Sequence, residues 1–244
     1  MNYHIYPTEE EVDQAAAELF ISSIRNIKNP KVGLATGSTP IGLYQNLIAA
    51  YQKGEISFKG VTTYNLDEYI GLPESHPSSF AYFMNTKLLD HVDIPKDSTH
   101  IPQGDADDSY EEAERYERIV QSAAPLDIQL LGVGMNGHLG FNEPDDYLTS
   151  ETHIVQLSET TRQANVKDFD SIDEVPKTAI TMGMGTIMKA KKLLFFAKGI
   201  DKADIIQQVL EGPITTQVPA SMLQLHANVH VFLDQSAASK LKDV

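Results

Sequence analysis

Along this chain a short apolar run repeatedly gives way to a glycine-rich or polar turn and then to an amphipathic segment, and this alternation constrains the fold more than any other feature. A strand that must be followed by a helix before the next strand pairs in parallel, because the crossover returns the chain to the end where it started. Lys31–Ala35 reads as such a strand, and Ile41, Leu43, Tyr44, Leu47, Ile48 and Tyr51 follow it at helical spacing. Further strands are expected to end near Leu66 and to span Asp127–Leu131 and Leu193–Ala197, the last followed by a helix with apolar Ile205, Ile206, Val209 and Leu210. Val229, Val231 and Leu233 alternate in one more strand ending at Asp234. Upstream, Thr8 and Glu11 stand at capping-box spacing before Val12, Ala15, Ala16, Leu19 and Phe20, which predicts a first helix. The expectation is an α/β chain: a single domain over 1–244, with a mainly parallel, Rossmann-like sheet flanked by helices.

At 244 residues the chain can bury a sizeable core, and no linker, low-complexity tract or solenoid repeat divides it. Asp and Glu number 34 against 19 Lys and Arg, and no basic block interrupts the acidic excess, so no nucleic-acid partner is expected. A small anionic substrate would be repelled at long range by the net charge of −15, so an anion site must be built locally from backbone N–H groups and a few cations. The absence of cysteine removes disulfides, thiol nucleophiles and cysteine-ligated metals. The first residues lack the basic and apolar regions of a signal peptide, and no run approaches membrane-spanning length; a cytoplasmic protein with no membrane partner is expected.

Three turns at the ends of expected strands carry polar residues. In Thr36-Gly37-Ser38-Thr39-Pro40, Gly37 lets the backbone approach a ligand, Ser38 and Thr39 supply hydroxyls, and the following helix start offers free N–H groups to a phosphate. The alternative is an ordinary strand-to-helix turn capped by Ser or Thr. Asp67-Glu68-Tyr69 is by itself an acidic turn, but its place at a strand's carboxyl end puts it where open α/β sheets bind ligands. In "LLGVGMNGHLGFNEP", Gly132, Gly134 and Gly137 match a dinucleotide fingerprint, yet Gly140, Asn142 and Pro144 interrupt the helix that such a site needs. What is left is a tightly turned loop holding His138 and Glu143, a pair suited to proton transfer near neutral pH. No second His or aspartate cluster completes a metal set, so no metal is expected. Lys202, near a helix start, opposes the helix dipole unless the two share an anion. These parts fit a sugar-phosphate isomerase, a hydrolase or a sensor.

The motifs "LATGSTPIGLY", "NLDEYIGLP", "HPSSFAYFM", "HVDIP", "GVGMNGHLGFNEP", "VPKTAITMGMGTI" and "QLH" occur in the order found in the glucosamine-6-phosphate deaminases, which the chain resembles along nearly its whole length. The 6-phosphogluconolactonases, of similar fold, typically carry Asp-Glu-Arg and Ser-Leu-Phe-Pro where this chain has Asp67-Glu68-Tyr69 and Phe141-Asn142-Glu143-Pro144. The resemblance implies conversion of glucosamine 6-phosphate to fructose 6-phosphate and ammonium without a cofactor. It makes Asp67 the base that moves a proton from C2 toward C1, and His138 the group that opens the ring, oriented by Glu143 with Asn136 as a third member. Thr36, Gly37, Ser38, Thr39, Gly137, Lys167 and Lys202 are assigned to the phosphate and substrate.

The chain also departs from the family pattern. Asn136 stands where many members have Asp, and Lys167 stands where many have a phosphate-binding Arg. His153 and Val155 occupy the positions where hexameric members bind the effector N-acetylglucosamine 6-phosphate through Arg and Lys, and those members' C-terminal extension has no counterpart here. A monomer or small homo-oligomer without effector activation is therefore expected, rather than a hexamer. Residues 145–176, polar and expected to be helical, resemble the family's lid.

Overall fold

Each element of the chain begins where its local chemistry permits. In the computed structural model, which describes residues 1–242, the first element is β1 (Asn2–Tyr6). Thr8 then accepts the Glu11 amide while Glu11 accepts the Thr8 amide, and this expected capping box opens α1 (Glu9–Ile24). There follow β2 (Lys31–Leu34), α2 (Ile41–Gln52), β3 (Thr62–Asn65), β4 (Asp67–Tyr69), α3 (Phe80–Lys87), β5 (Thr99–His100), α4 (Ser109–Ala123) and β6 (Ile128–Leu131). Next come β7 (His153–Gln156), α5 (Glu159–Asn165), β8 (Thr178–Thr181), α6 (Met184–Ile187), β9 (Leu193–Ala197), α7 (Ala203–Glu211) and β10 (Val229–Asp234). Asp243 and Val244, the end of the expected domain, lie outside the described residues.

Seven strands form one sheet in the order β1-β10-β9-β6-β2-β3-β5, and every neighbouring pair is parallel. A parallel sheet flanked by helices hides both faces, so its central strands are near-continuous apolar runs rather than alternating, with the buried Gln129 of β6 an exception. All of Leu193–Ala197 and Ile128–Leu131 are buried accordingly, and Leu130, Leu131, Leu193, Leu194 and Phe195 have no exposure at all. Each such side chain stabilises the fold by about 1.5–3 kcal/mol relative to an exposed one.

A second sheet, β4-β8-β7, is antiparallel and departs from two expectations. Asp67-Glu68-Tyr69 is a buried strand paired with Thr181, Ile180 and Ala179 rather than an acidic turn. Residues 145–176 are only partly helical: His153–Gln156 pairs with β8, leaving α5 and a short 3-10 turn, Val166–Asp168, as the helical part. The β-branched Ile154 and Val155 suit that strand, and polarity alone did not reveal the pairing.

β2 is where the large sheet reverses direction. From it the chain passes outward to β3 and β5 on one side, while β6, β9, β10 and β1 fill the other. The turns leaving the carboxyl ends of β2 and β6 therefore diverge around a crevice, the usual ligand position in an open parallel sheet.

Candidate active site

That crevice is a cleft of about 180 Å³ lined by Thr36, Gly37 and Thr39 from the turn after β2, by Asp67 and Tyr69 from β4, by His138 and Gly140 from the loop after β6, and by Lys167. Among the described residues no group of three potential metal ligands gathers, and no helix is long and apolar enough to cross a membrane.

The turn after β2 is fixed at both ends, because fully buried Tyr44 of α2 donates its hydroxyl to the Ala35 carbonyl at 2.6 Å. The cap expected of an ordinary turn is missing: no side chain caps α2, and Pro40 stands at its N-cap. Thr36 and Thr39 line the cleft instead, beside a helix start whose amides can receive an anion. Ser38, which is exposed, is not among the lining residues.

Asp67 is only 6% exposed, and burial, followed by the charge of Glu68, pushes its carboxyl up to about 8. Glu68 points elsewhere and accepts the amides of Tyr69, Phe80 and Ala81, which ties β4 to the start of α3. Burial raises Glu68 to about 7 in spite of those donors. The two adjacent carboxylates thus have separate tasks: one faces the cleft and the other fixes the strand that carries it.

The glycines of the loop after β6 make room for specific neighbours. A Cβ on Gly134 would lie 2.1 Å from Cε1 of His138, so the imidazole lies against bare backbone there. Gly140, at φ +57°, is in the left-handed region, and its missing Cβ leaves space for Asp67 Oδ2, 3.2 Å from where that atom would be. Gly137 is buried with Val218 against it, and its carbonyl accepts the Ala220 amide at 2.8 Å; it shapes the loop and does not line the cleft.

The structure brings Glu143 beside His138, as the pairing read from the sequence requires. Glu143 Oε2 accepts from Asn136 Nδ2 at 2.6 Å and stands 3.6 Å from His138 Nδ1, which is buried and has no hydrogen-bond partner among the described residues. Asn136 bonds the backbone beside the imidazole: its Oδ1 accepts the His138 backbone amide at 3.3 Å. The second carboxylate oxygen accepts from Thr161 of α5. Burial raises the Glu143 carboxyl, but the His138 imidazole, Thr161 and Asn136 together hold it well below the usual carboxylate range.

Lys167 lines the cleft, whereas Lys202 stands behind it at the start of α7 and donates to the Val133 carbonyl at 2.7 Å. Burial lowers the Lys202 ammonium, and the nearby Lys167 lowers it further against the pull of Asp201. An anion between the two lysines would relieve both penalties.

Reading the sequence missed two features. One is Thr161, whose signal was its place three residues after Ser158, the N-cap of α5. The other is an aromatic wall: Tyr69 lies 4.7 Å from Phe80 and 5.7 Å from both Phe141 and Phe169, between ring centroids. Tyr69 and Phe141 belong to the two motifs that differ from the lactonase pattern, and the fold brings them into contact.

The profile of the family "Glucosamine-6-phosphate isomerases/6-phosphogluconolactonase" matches residues 7–232. A glucosamine-6-phosphate deaminase of Thermoanaerobacter pseudethanolicus is 48% identical over 96% of this chain and 92% of its own length. One from Clostridium perfringens strain 13 is 47% identical over 96% of each. A solved structure of a monomeric glucosamine-6-phosphate deaminase superposes with a TM-score of 0.96 at 45% identity, covering 98% of this chain and all of that one. The 6-phosphogluconolactonase of Trypanosoma brucei reaches a TM-score of 0.80 at 19% identity over 99% of this chain and 98% of that one, a likeness of fold alone.

Proposed function

The chain belongs to the family of glucosamine-6-phosphate isomerases and 6-phosphogluconolactonases, and from that premise we propose that it is a glucosamine-6-phosphate deaminase working in the cleft between the ends of β2 and β6. It converts glucosamine 6-phosphate and water to fructose 6-phosphate and ammonium. The observation that carries this reading is one cavity holding a buried carboxyl, an imidazole, an uncapped helix start and a lysine.

The phosphate sits at Thr36, Gly37 and Thr39, between the amides of α2 and the ammonium of Lys167, with Lys202 behind; this places the sugar carbons toward Asp67 and His138. His138 carries the proton that opens the pyranose ring, with the Glu143 carboxylate 3.6 Å from its Nδ1. Asp67 then takes the proton from C2 of the open chain, giving an enediol-like enolamine, and returns it to C1. Once ionised, a carboxyl raised to about 8 is a stronger base than an exposed one. The C2 imine that results is hydrolysed by water to the ketose and ammonium. The chemistry uses no cofactor, and the chain acts in the cytoplasm as a monomer or small homo-oligomer.

A 6-phosphogluconolactonase is the competing reading. Against it, relatives sharing nearly half of this sequence are deaminases, and Tyr69 and Phe141 form the cleft wall. The test follows fructose 6-phosphate and ammonium together from glucosamine 6-phosphate, with Asp67→Asn as control. Equal release of both products, abolished in the control, is expected. Hydrolysis of 6-phosphogluconolactone with no turnover of the amino sugar would overturn the reading.

A further inference from the structure

Behind the phosphate turn, away from the residues that line the cleft, lies a buried ion pair. Asp13 of α1 is 6% exposed, and its two carboxylate oxygens accept from Lys198, just past the end of β9, at 2.9 and 2.8 Å. The Lys198 side chain is itself largely buried, and Glu9, one turn earlier in α1 and half exposed, stands 4.0 Å from the same ammonium. The neighbouring Gly199 amide donates to Asp234 Oδ1 at 2.8 Å, so Lys198 is delivered from a fixed turn. The Asp13 carboxylate is pressed against the start of α2. A Cβ on Gly42, the second residue of that helix, would lie 1.9 Å from Oδ2, so the approach of the two helices at this point requires glycine. Thr39, which lines the cleft, is only three residues before Gly42.

A carboxylate beside a helix start draws on the same partial positive charge that a phosphate uses. It also repels the phosphate directly. Gly42 is within one helical turn of the amides that receive the anion, which places the two negative groups roughly 6–10 Å apart. At an effective dielectric constant of about 20, one unbalanced charge at that range changes the affinity for another by about tenfold or more. Lys198 removes the repulsion by making the carboxylate one end of a neutral pair. Burial raises the Asp13 carboxyl, Lys198 opposes that rise through its hydrogen bonds and its charge, and Glu10 adds to it.

We propose that Asp13 and Lys198 set the affinity of the turn after β2 for phosphate: Lys198 cancels the carboxylate that α1 places against the first turn of α2, and so leaves that helix start able to hold an anion. The phosphate placement is that of the deaminase reading, on which the role of the pair rests. Both are positioning residues, because they reach the substrate only through α2. An ion pair that merely braces the fold would behave differently. Removing either partner breaks the same contact, so a structural role moves the two single variants in one direction, whereas charge acting on the phosphate moves them in opposite directions.

The test is the affinity of the intact protein for fructose 6-phosphate, measured by titration calorimetry beside KM and kcat for glucosamine 6-phosphate. Mildly alkaline pH keeps Asp13 ionised even without its partner. Lys198→Met, which keeps most of the side chain without its charge, should weaken binding and raise KM about tenfold with kcat nearly unchanged. Asp13→Asn, which leaves the ammonium unbalanced, should tighten binding by about threefold, the smaller effect because Glu9 offers the ammonium another carboxylate. The double variant should return to within about twofold of the wild type. Shifts in the same direction for both single variants, or affinities unchanged in both, would overturn the proposal. Should Lys198→Met fail to fold, Asp13→Asn decides: tighter binding supports the proposal, and weaker or unchanged binding overturns it. Failure of the deaminase assay with opposite shifts in fructose 6-phosphate binding would remove the amino sugar as substrate and leave the pair its role. Turnover of the amino sugar with both shifts in one direction would keep the deaminase and remove the role, and a wild type that binds no fructose 6-phosphate would overturn both.

Discussion

Gly134→Ala tests the site most sharply, because it should spare the fold and disable the chemistry. The new Cβ would lie 2.1 Å from Cε1 and 2.4 Å from both ring nitrogens of His138, whereas ordinary contact begins near 3.4 Å, so the ring must retreat by about 1.3 Å. Gly134 is not among the glycines at positive φ, so alanine meets no backbone penalty. The obstacle is the end of a rotatable side chain beside an open cleft, and a change of χ angle relieves it at a cost of about 0.5–1.5 kcal/mol. A misplacement of this size at a reacting group is worth about a hundredfold in rate. The expected result is a kcat for glucosamine 6-phosphate reduced about 100-fold, with a thermal midpoint close to that of the wild type and a KM little changed, because the phosphate turn is untouched. Stopped assays of fructose 6-phosphate at saturating substrate, with calorimetry on the same preparations, measure both. A variant within about tenfold of wild-type kcat would show that the His138 ring does not work from the position described here.

Asp67→Asn should abolish turnover yet stabilise the fold at neutral pH. Between the usual carboxylate range and about 8 the folded chain keeps a proton that the unfolded chain has released, so wild-type stability falls as pH rises through that window; the variant's lead in denaturant midpoint should widen from about pH 5 to about pH 8, and a constant lead would contradict the raised value. Glu143→Gln should lower kcat by about 10²-fold or more, and Asn136→Ala by less; the reverse order would show that Asn136, not the carboxylate, supports His138. Lys167→Ala should raise KM about tenfold or more with kcat nearly kept, reflecting the loss of one charged contact to phosphate; an unchanged KM would remove Lys167 from the phosphate site. Rate curves should stay hyperbolic with and without N-acetylglucosamine 6-phosphate, since His153 lies in β7 with its Nδ1 2.9 Å from the Glu151 carbonyl; a sigmoidal curve straightened by that compound would refute this.

The parallel sheet was legible because its signals are local. The capping box at Thr8, the mostly apolar run of β6, the continuous one of β9 and the alternation in β10 each depend on residues close in sequence. The placing of Asp67, His138 and the phosphate turn around one crevice followed from topology, since strands running in one direction deliver their carboxyl ends to one edge. The pairing of β4 and β7 with β8 was not legible. Asp67-Glu68-Tyr69 has the composition of a turn, and its pairing with Ala179, Ile180 and Thr181, more than a hundred residues later, makes it a strand. The state of Glu143 was hidden for a similar reason. Its place five residues after His138 suggested the pairing, whereas the donors that hold the carboxylate are Asn136 and Thr161, the latter 18 residues away. Resemblance named the motifs that carry the chemistry, but contact between Tyr69 and Phe141 appears only once the chain is folded.

The pairing of β1 with β10 sets the order in which the molecule can be completed. Among the described residues Asn2–Tyr6 has one sheet neighbour, Val229–Asp234, which is made more than two hundred residues later. At bacterial or eukaryotic translation speeds of about 5–20 residues per second, the wait between them is roughly ten to fifty seconds. Throughout that time α1 can form on its own capping box, while the strand before it carries unpaired amides and an exposed Tyr3. β1 therefore stays unpaired while every strand between it and β10 is made, and it docks only after Val229–Asp234 has emerged.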